Sequence, residues 1–450
     1  MVWGLICLVF LYLGYKLNSR KIETEFGTDI HSLPESYGDA ASTPLSYRRT
    51  QLLQFGLTFG VEGFFGAVIG VVYGPLTMIW CVLGSVFLGS FLNYYSGMYS
   101  RAHHKSLLSV AEEVFGRKIY LALTLIFCVL LLLGTSVNFM FFLNVVSHAF
   151  HPDWLWYAFL LVVVGIVFLS SQRFNKVCMA VGAMILLSTL YLCIMSVAHF
   201  ANIEVSNNPL NYPNLKYAYP FLFITVNIGV LSGIQALKCT LTAEHIRNER
   251  MGKGVFIATT LFQAGMVVLW GLLLLAWNPS LKVLTSAISK EAMPDIVLHK
   301  YLTVHTGVIG EYAVTVTLAA VCILSAGVML RLISKLLKEA GIASKLEHRI
   351  IGVVLSIMSA LFLFFPSVMH GYELINQLIV LYLLYTCIYL RRKQKQSYKH
   401  LLFIAYILSG ACVAYLLMAV LRLPLNVGVF SGLTCTFCAC VGHYFYHKKV

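Results

Sequence analysis

Glu62 is a carboxylate set among glycines and aromatic residues, in the run Phe55-Gly56-Leu57-Thr58-Phe59-Gly60-Val61-Glu62-Gly63-Phe64-Phe65-Gly66. An acid at the centre of a membrane-spanning helix costs about 2.5–3.5 kcal/mol on insertion scales, so its presence asks for a purpose. Two purposes fit the residue type: it carries a coupling proton, or it recognises a substrate amine. The plainer alternative is a structural hydrogen bond to neighbouring backbone. A second run has the same character: Pro220-Phe221-Leu222-Phe223-Ile224-Thr225-Val226-Asn227-Ile228-Gly229-Val230-Leu231-Ser232-Gly233-Ile234-Gln235. Glycine in a helix costs roughly 1 kcal/mol relative to alanine, so both runs are places for a helix to unwind. Unwinding frees backbone N–H and C=O groups beside the polar side chains, and a helix N-terminus at the break favours a carboxylate ligand. The plainer reading is that these hydroxyls and amides bridge helices. The candidate substrate-binding set is therefore Thr58, Gly60, Glu62, Gly63, Thr225, Asn227, Ser232 and Gln235, with Glu62 and Glu311 as ion-coupling acids. Glu373 is a further acid near the end of an apolar segment.

Other chemistry is absent from the pattern. No HExxH, GxSxG or phosphate-loop motif occurs, so no catalytic residue is nominated and an enzyme is not expected. Cys435, Cys438 and Cys440 have a spacing that suits a metal, but they fall in an apolar segment without a second ligand pair. No metal and no cofactor are expected. Asn93, Asn138, Asn144, Gln263, Asn376 and Gln377 are read as helix-packing residues.

The elements that must position these residues are membrane-spanning helices. The 450 residues are 59% hydrophobic and 11% charged, and mean hydropathy is +0.82. A soluble domain carries roughly 25% charged residues. A spanning helix needs about 20 mostly apolar residues. Thirteen segments qualify, at about 2–16, 52–73, 77–99, 119–147, 154–171, 177–199, 219–237, 254–277, 306–330, 350–366, 369–390, 401–420 and 423–446. Met1 to Tyr15 lacks a preceding basic residue and a small-residue cleavage site, so it is expected to stay as a span. Lys105 to Lys118 reads as an interfacial helix.

Charge supplies an independent check. With the loop after the first span placed in the cytoplasm and sides alternating, all but five of the 32 Lys and Arg fall on the cytoplasmic side. The exceptions are Lys216, Lys282, Lys290, Lys300 and Arg422. This asymmetry puts the N-terminus outside and the C-terminus inside a cytoplasmic membrane. It also accounts for the net charge of +14 without nucleic acid. The basic tail and the loops are orientation signals that face lipid headgroups.

The two glycine-rich runs begin five spans apart, so the second five-helix unit enters from the opposite side. That is an inverted repeat, and paired broken segments in such a repeat mark a transporter binding site. At these residues the chain resembles the carbon starvation protein (CstA) family of peptide and pyruvate transporters. The resemblance rests on Phe55-Gly56 and Phe59 in the second span, and on Ser100-Arg101 to Ser106-Leu107 after the third. It continues through Phe223-Ile224-Thr225, Ser232-Gly233, Ala236-Leu237, Leu241 and Ala243 to Arg247-Asn248-Glu249, Lys253-Gly254-Val255-Phe256 and Trp270. It covers about residues 10–390. The chain departs from the family where a His pair is replaced by Leu57-Thr58 and where a His is replaced by Gln235. It departs again around Ala326 to Arg331, where only the Arg is kept.

The expectation is an all-α polytopic membrane protein with a five-plus-five inverted repeat of the amino acid–polyamine–organocation type. Its units are a first span and linker (1–51), a first repeat (52–200), a second repeat (219–390) and two C-terminal spans with a basic tail (391–450). The resemblance implies uptake of peptides or a small carboxylate such as pyruvate, coupled to H+ or Na+, by alternating access. The alternative is a sensor or binding protein that keeps the scaffold without transporting. An oligomer is compatible with either.

Overall fold

A computed structural model describes residues 9–16, 45–73, 81–149, 155–200, 233–277, 306–342, 368–394, 398–415 and 431–441, together with Cys7 and Leu417. Every regular element among them is helical. In chain order they are α1 (9–16), α2 (Tyr47–Thr58), α3 (Val61–Tyr73), α4 (81–103), α5 (Val110–Phe115), α6 (Arg117–Ala149) and α7 (Leu155–Phe168). There follow α8 (Ser171–Ser196), α9 (Gly233–Lys238), α10 (Glu249–Trp277), α11 (Gly307–Glu339), α12 (Val368–Lys393), α13 (Lys399–Tyr415) and α14 (Ser431–Val441).

Four of these are long and apolar enough to cross a membrane: Arg117–Val146 within α6, Ser171–Ser196, Glu249–Trp277 and Gly307–Glu339. Thirty helical residues rise about 45 Å, which exceeds a hydrocarbon core of about 30 Å. The helices therefore extend past the core at their polar ends. The second predicted span, 52–73, differs. It is two helices of 12 and 13 residues separated at Phe59 and Gly60. Neither half alone is long enough to cross a bilayer.

Packing is closest where side chains are small. The Cα of Gly56 on α2 comes so near α8 that a Cβ there would overlap the carbonyl oxygen of Cys178. Gly182, one turn along α8, faces Gly56 and the carbonyl of Leu52. This is the close helix crossing that glycine makes available in a membrane. Long helices α6 and α11 pack along each other, α3 lies on α10, and α11 also lies against α7 and α8. α4 is joined to α10 by Asn93 Nδ2, which donates to Thr260 Oγ1 at 2.8 Å. Both α4 and α10 contain a π-turn, at Ser85–Gly89 and Lys253–Ile257. The second is held by Gln51 of α2, whose Nε2 donates to the Gly254 carbonyl at 2.9 Å.

The basic loops gather at one end of the bundle. The interfacial helix expected from Lys105 to Lys118 is a 3-10 turn at Leu107–Ser109 followed by α5, and Gly116 turns the chain into α6. Ser106 caps this corner against α11: its N–H and Oγ both donate to Glu339 Oε2, at 3.0 and 2.7 Å. Arg117 meets Glu112 at 2.9 Å and the carbonyl of Ala340, and Lys393 of α12 pairs with Glu113. Arg331 closes the C-terminus of α7. Its guanidinium donates to the carbonyls of Ile166 and Leu169 and stacks on Phe174 at 3.9 Å. Its place is that of a helix cap.

Candidate functional site

The break in the second predicted span lies between Thr58, the last residue of α2, and Val61, the first of α3. Phe59 leaves helical geometry at ψ 82. The chain is then turned by Gly60 N–H, which donates to Thr58 O at 3.0 Å, and restarted by Gly63 N–H on Gly60 O at 3.1 Å. Helix ends leave backbone groups without intrahelical partners, so a break supplies carbonyls from one half and N–H groups from the other. Glu62 stands in the first turn of α3, where a negative charge meets the positive end of the helix dipole. Its carboxylate folds back over Gly60, because a Cβ on Gly60 would overlap Glu62 Oε2 and stand 3.2 Å from Ser325 Oγ of α11. A Cβ at position 60 would displace the Glu62 carboxylate from this place.

Two glutamines converge on Thr58. Gln263 Nε2 of α10 donates to its hydroxyl, and Gln235 Nε2 of α9 donates to its carbonyl at 3.3 Å. The Thr58 hydroxyl donates in turn to Gln54 O at 2.6 Å. Gln54 continues the chain: its Nε2 meets Cys239 Sγ at 3.1 Å and its Oε1 accepts from Thr242. A buried polar line therefore runs from the break toward the basic end. Among the described residues, Gln235 Oε1, Gln263 Oε1 and Ser325 Oγ accept and donate no hydrogen bond. Buried polar atoms are nearly always bonded, so three such atoms around one break call for a further partner there.

Lys238, at the end of α9, completes the site. Its side chain is 0% exposed, and its Nζ lies 4.0 Å from Glu62 Oε1. Lys238, counted in the sequence among the cytoplasmic loop charges, is instead buried. The residues after it, Cys239-Thr240-Leu241-Thr242-Ala243, form tight 3-10 turns packed inside the protein. They carry the ammonium inward. An aromatic wall encloses the break: Phe59 stacks on Phe55 at 5.2 Å and meets Phe64 edge-on at 5.2 Å, and Phe64 meets Trp270 at 4.7 Å. Gly63 admits Phe59, whose ring would crowd any Cβ there at 2.8 Å.

The structure thus brings together Thr58, Gly60, Glu62, Gly63 and Gln235 from the sequence-derived set, all buried. It adds Gln263, Ser325 and Lys238, which sequence reasoning had assigned to packing, passed over and placed in a loop. Thr225, Asn227 and Ser232 lie outside the described residues. Glu311 is not part of this cluster. It is half-buried near the start of α11, 14 residues and so about 21 Å along the helix from Ser325. Glu373 lies in the helical stretch of α12, and its side chain is outside the described residues. Cys435, Cys438 and Cys440 sit on α14 with Cys438 exposed, and no group of metal-binding side chains occurs among the described residues.

A different polar cluster lies at the basic end. His245 Nε2 is 2.9 Å from Asn175 Nδ2 of α8 and 3.4 Å from Glu244 Oε1. Burial pushes the imidazole down to about 4, so at neutral pH it is uncharged: Nε2 accepts from Asn175 Nδ2, and the approach to Glu244 is not an ion pair. Burial pushes Glu244 up, opposed by Lys335. Lys335 Nζ donates to Thr240 O at 2.7 Å and so ties α11 to the turn that follows Lys238.

No protein-family model matches the chain. It is 22% identical over 350 residues to an uncharacterized membrane protein of Haemophilus influenzae, an alignment covering 64% of this chain and 94% of that protein. Among solved structures it is similar to a Na+-coupled sialic acid symporter in a substrate-bound outward-open state. The TM-score is 0.56 at 11% identity over 98% of both chains. It is also similar to the manganese transporter of Eremococcus coleocola, with TM-score 0.55 at 12% identity over 93% of this chain and 97% of that one. At such identity the likeness is one of fold: the chain is a multi-pass membrane protein with the helical architecture of these transporters.

Proposed function

We propose that this protein is a secondary active transporter that carries a small solute by alternating access, with the solute held at the break between α2 and α3. One observation carries the reading. The break is lined by a buried carboxylate, a buried ammonium and three polar atoms without partners among the described residues. Discontinuous helices of this kind form substrate sites at mid-membrane depth. The architecture shared with a sialic acid symporter and a manganese transporter supports it. We take the substrate class from the sequence: a peptide or a small carboxylate such as pyruvate, with the chain a short, divergent relative of the carbon starvation proteins. Glu62 is then the coupling acid, and the solute's carboxylate faces the N-terminus of α3 and Lys238. Thirteen spans, a five-plus-five inverted repeat and an N-terminus outside complete the proposal.

The test is uptake of labelled pyruvate and of dipeptides into proteoliposomes under an imposed pH gradient. Concentrative uptake by the wild type that collapses in Glu62→Gln is expected. Full pH-dependent uptake by Glu62→Gln would remove the acid from the mechanism. Ligand-dependent thermal stabilisation without any uptake would favour a binding protein on the same scaffold.

A further inference from the structure

The wide turn of α10 is completed by a different helix. In an α-helix the N–H of Ala258 would donate to the carbonyl of Gly254, four residues back. In the π-turn Lys253–Ile257 it donates to the carbonyl of Lys253 instead. The Gly254 carbonyl that is passed over accepts from Gln51 Nε2 of α2, at 2.9 Å. The same Nε2 donates to Tyr47 Oη, one turn back on α2, at 3.0 Å. Tyr47 in turn lies over Gly254, where an added Cβ would overlap its hydroxyl. The first turn of α2 is thus fitted to the wide turn of α10.

The matching turn in α4 is built differently. It starts 168 residues earlier, at Ser85–Gly89, with the same backbone pattern. There the N–H of Ser90 donates to Ser85 O, and the carbonyl passed over is that of Val86. The Ser90 hydroxyl donates to it at 3.0 Å, within the same helix. At the place of Ser90, α10 has Ala258, which carries no hydroxyl. One wide turn therefore closes on itself, and the other waits on α2. Single π-turns inside α-helices are frequent at functional sites.

α2 is also the element such a contact would govern. The break at Phe59 and Gly60 separates it from α3, so it can pivot alone. It covers the turns after Lys238, where Gln54 reaches Cys239 and Thr242. These ties are neutral hydrogen bonds, each weak in net terms, which suits a part that must come loose.

We propose that the wide turn of α10 is a catch that holds α2 shut over the basic end of the site, engaged by Gln51 on the Gly254 carbonyl and released when α2 swings away. The inference rests on the alternating-access reading of the break and names a contact that gates its basic end.

Cys239 reports the catch. Its thiol is fully buried beside Gln54 of α2, so it becomes reachable when α2 leaves. The purified full chain in detergent is treated with a water-soluble maleimide, and labelling of each cysteine is followed by mass spectrometry. Exposed Cys438 is the internal standard, and Cys387, buried on α12, reports general loosening. Wild-type Cys239 is expected to label slowly. Gln51→Leu should speed it about fivefold, the shift in open population that one neutral buried hydrogen bond carries. Ala258→Ser should do the same with Gln51 intact, because the new hydroxyl closes the turn as Ser90 does in α4. The double variant should label no faster than the faster single one, since both changes remove the same bond. Unchanged labelling of Cys239 in Ala258→Ser overturns the proposal. So do effects that multiply in the double variant, or labelling that rises equally at Cys387. An Ala258→Ser chain that does not fold overturns it too, because α4 holds a serine at the matching place. If Gln51→Leu alone does not fold, Ala258→Ser decides. Absent uptake by the wild type would count against the transport reading and leave the labelling results standing.

Discussion

Both oxygens of Thr58 are occupied by glutamine amides, and this decides which atoms face a solute. Gln263 and Gln235 each spend an N–H on Thr58, and their Oε1 atoms are buried without donors among the described residues. Replacing Gln263 by Leu removes one such acceptor and one buried bond. Such a bond is worth about 1 kcal/mol net, so the variant should fold with a modest loss of stability. Pyruvate or dipeptide uptake should fall far more than stability does. Equal, small losses in both would reduce Gln263 to a packing residue. Glu62, Thr58 and Gln235 were legible in the sequence because they are polar groups inside apolar, glycine-rich windows. Gln263 was not, because Ala258–Trp277 reads as a plain helix. Lys238 was hidden by its position at the end of an apolar run, where a lysine usually begins a loop. The one signal was that the five residues after it are still small or apolar.

His245 gives a prediction of a different kind. Its folded-state value is pushed down to about 4 from 6.5 by burial against Asn175 and Glu244. Between those values the unfolded chain binds a proton that the native protein does not. Stability therefore rises with pH across this window, and is lost as pH falls from about 6.5 toward 4. The contribution at pH 5 is about 2 kcal/mol relative to pH 7.5. Glu244, raised by burial, works in the opposite sense. The measurement is thus a comparison of unfolding temperatures at pH 5 and 7.5 for wild type and His245→Gln, which stays neutral. The wild type should lose more on acidification. Identical losses would mean that the imidazole titrates normally.

At the scale of the element, the break and the crossing beside it use glycine for two different reasons. Gly60 makes room for the Glu62 carboxylate, whereas Gly56 brings the backbone of α2 against that of α8. A flexible carboxylate can swing away from an added methyl group, but a carbonyl on a facing helix cannot. Gly60→Ala is therefore expected to fold and to displace Glu62, reducing uptake. Gly56→Val should separate α2 from α8 and lower the unfolding temperature by several degrees, as overpacking costs about 1–3 kcal/mol. A Gly56→Val protein as stable as wild type would show that the crossing can relax. The sequence announced a break in this span through its glycine density, and the structure places it at Phe59 and Gly60. It did not announce the π-turns of α4 and α10, which arise because those helices must insert a residue while remaining packed on α2 and on each other. Nor could it separate Gly60 from Gly56, since the two differ only in what stands opposite.

For the whole molecule, the distribution of charge and the architecture point to the same organisation. The loops that the alternation of sides groups together do meet in space: Ser106 with Glu339, Lys393 with Glu113, and Arg101 Nε with the carbonyl of Ile246 at 2.7 Å. From the excess of Lys and Arg we propose that this end faces the cytoplasm, because such loops resist translocation. A fluorescent protein fused after Val450 should then fluoresce in a bacterial host, and an alkaline phosphatase fused at the same point should be inactive. The same fusions after Lys300, between α10 and α11, should report the reverse. If both positions gave the same answer, the alternation would fail between them. If both were inverted, the basic end would face outward, and the buried line from Thr58 through Gln54 to Thr242 would lead to the outer surface instead of the cytoplasm.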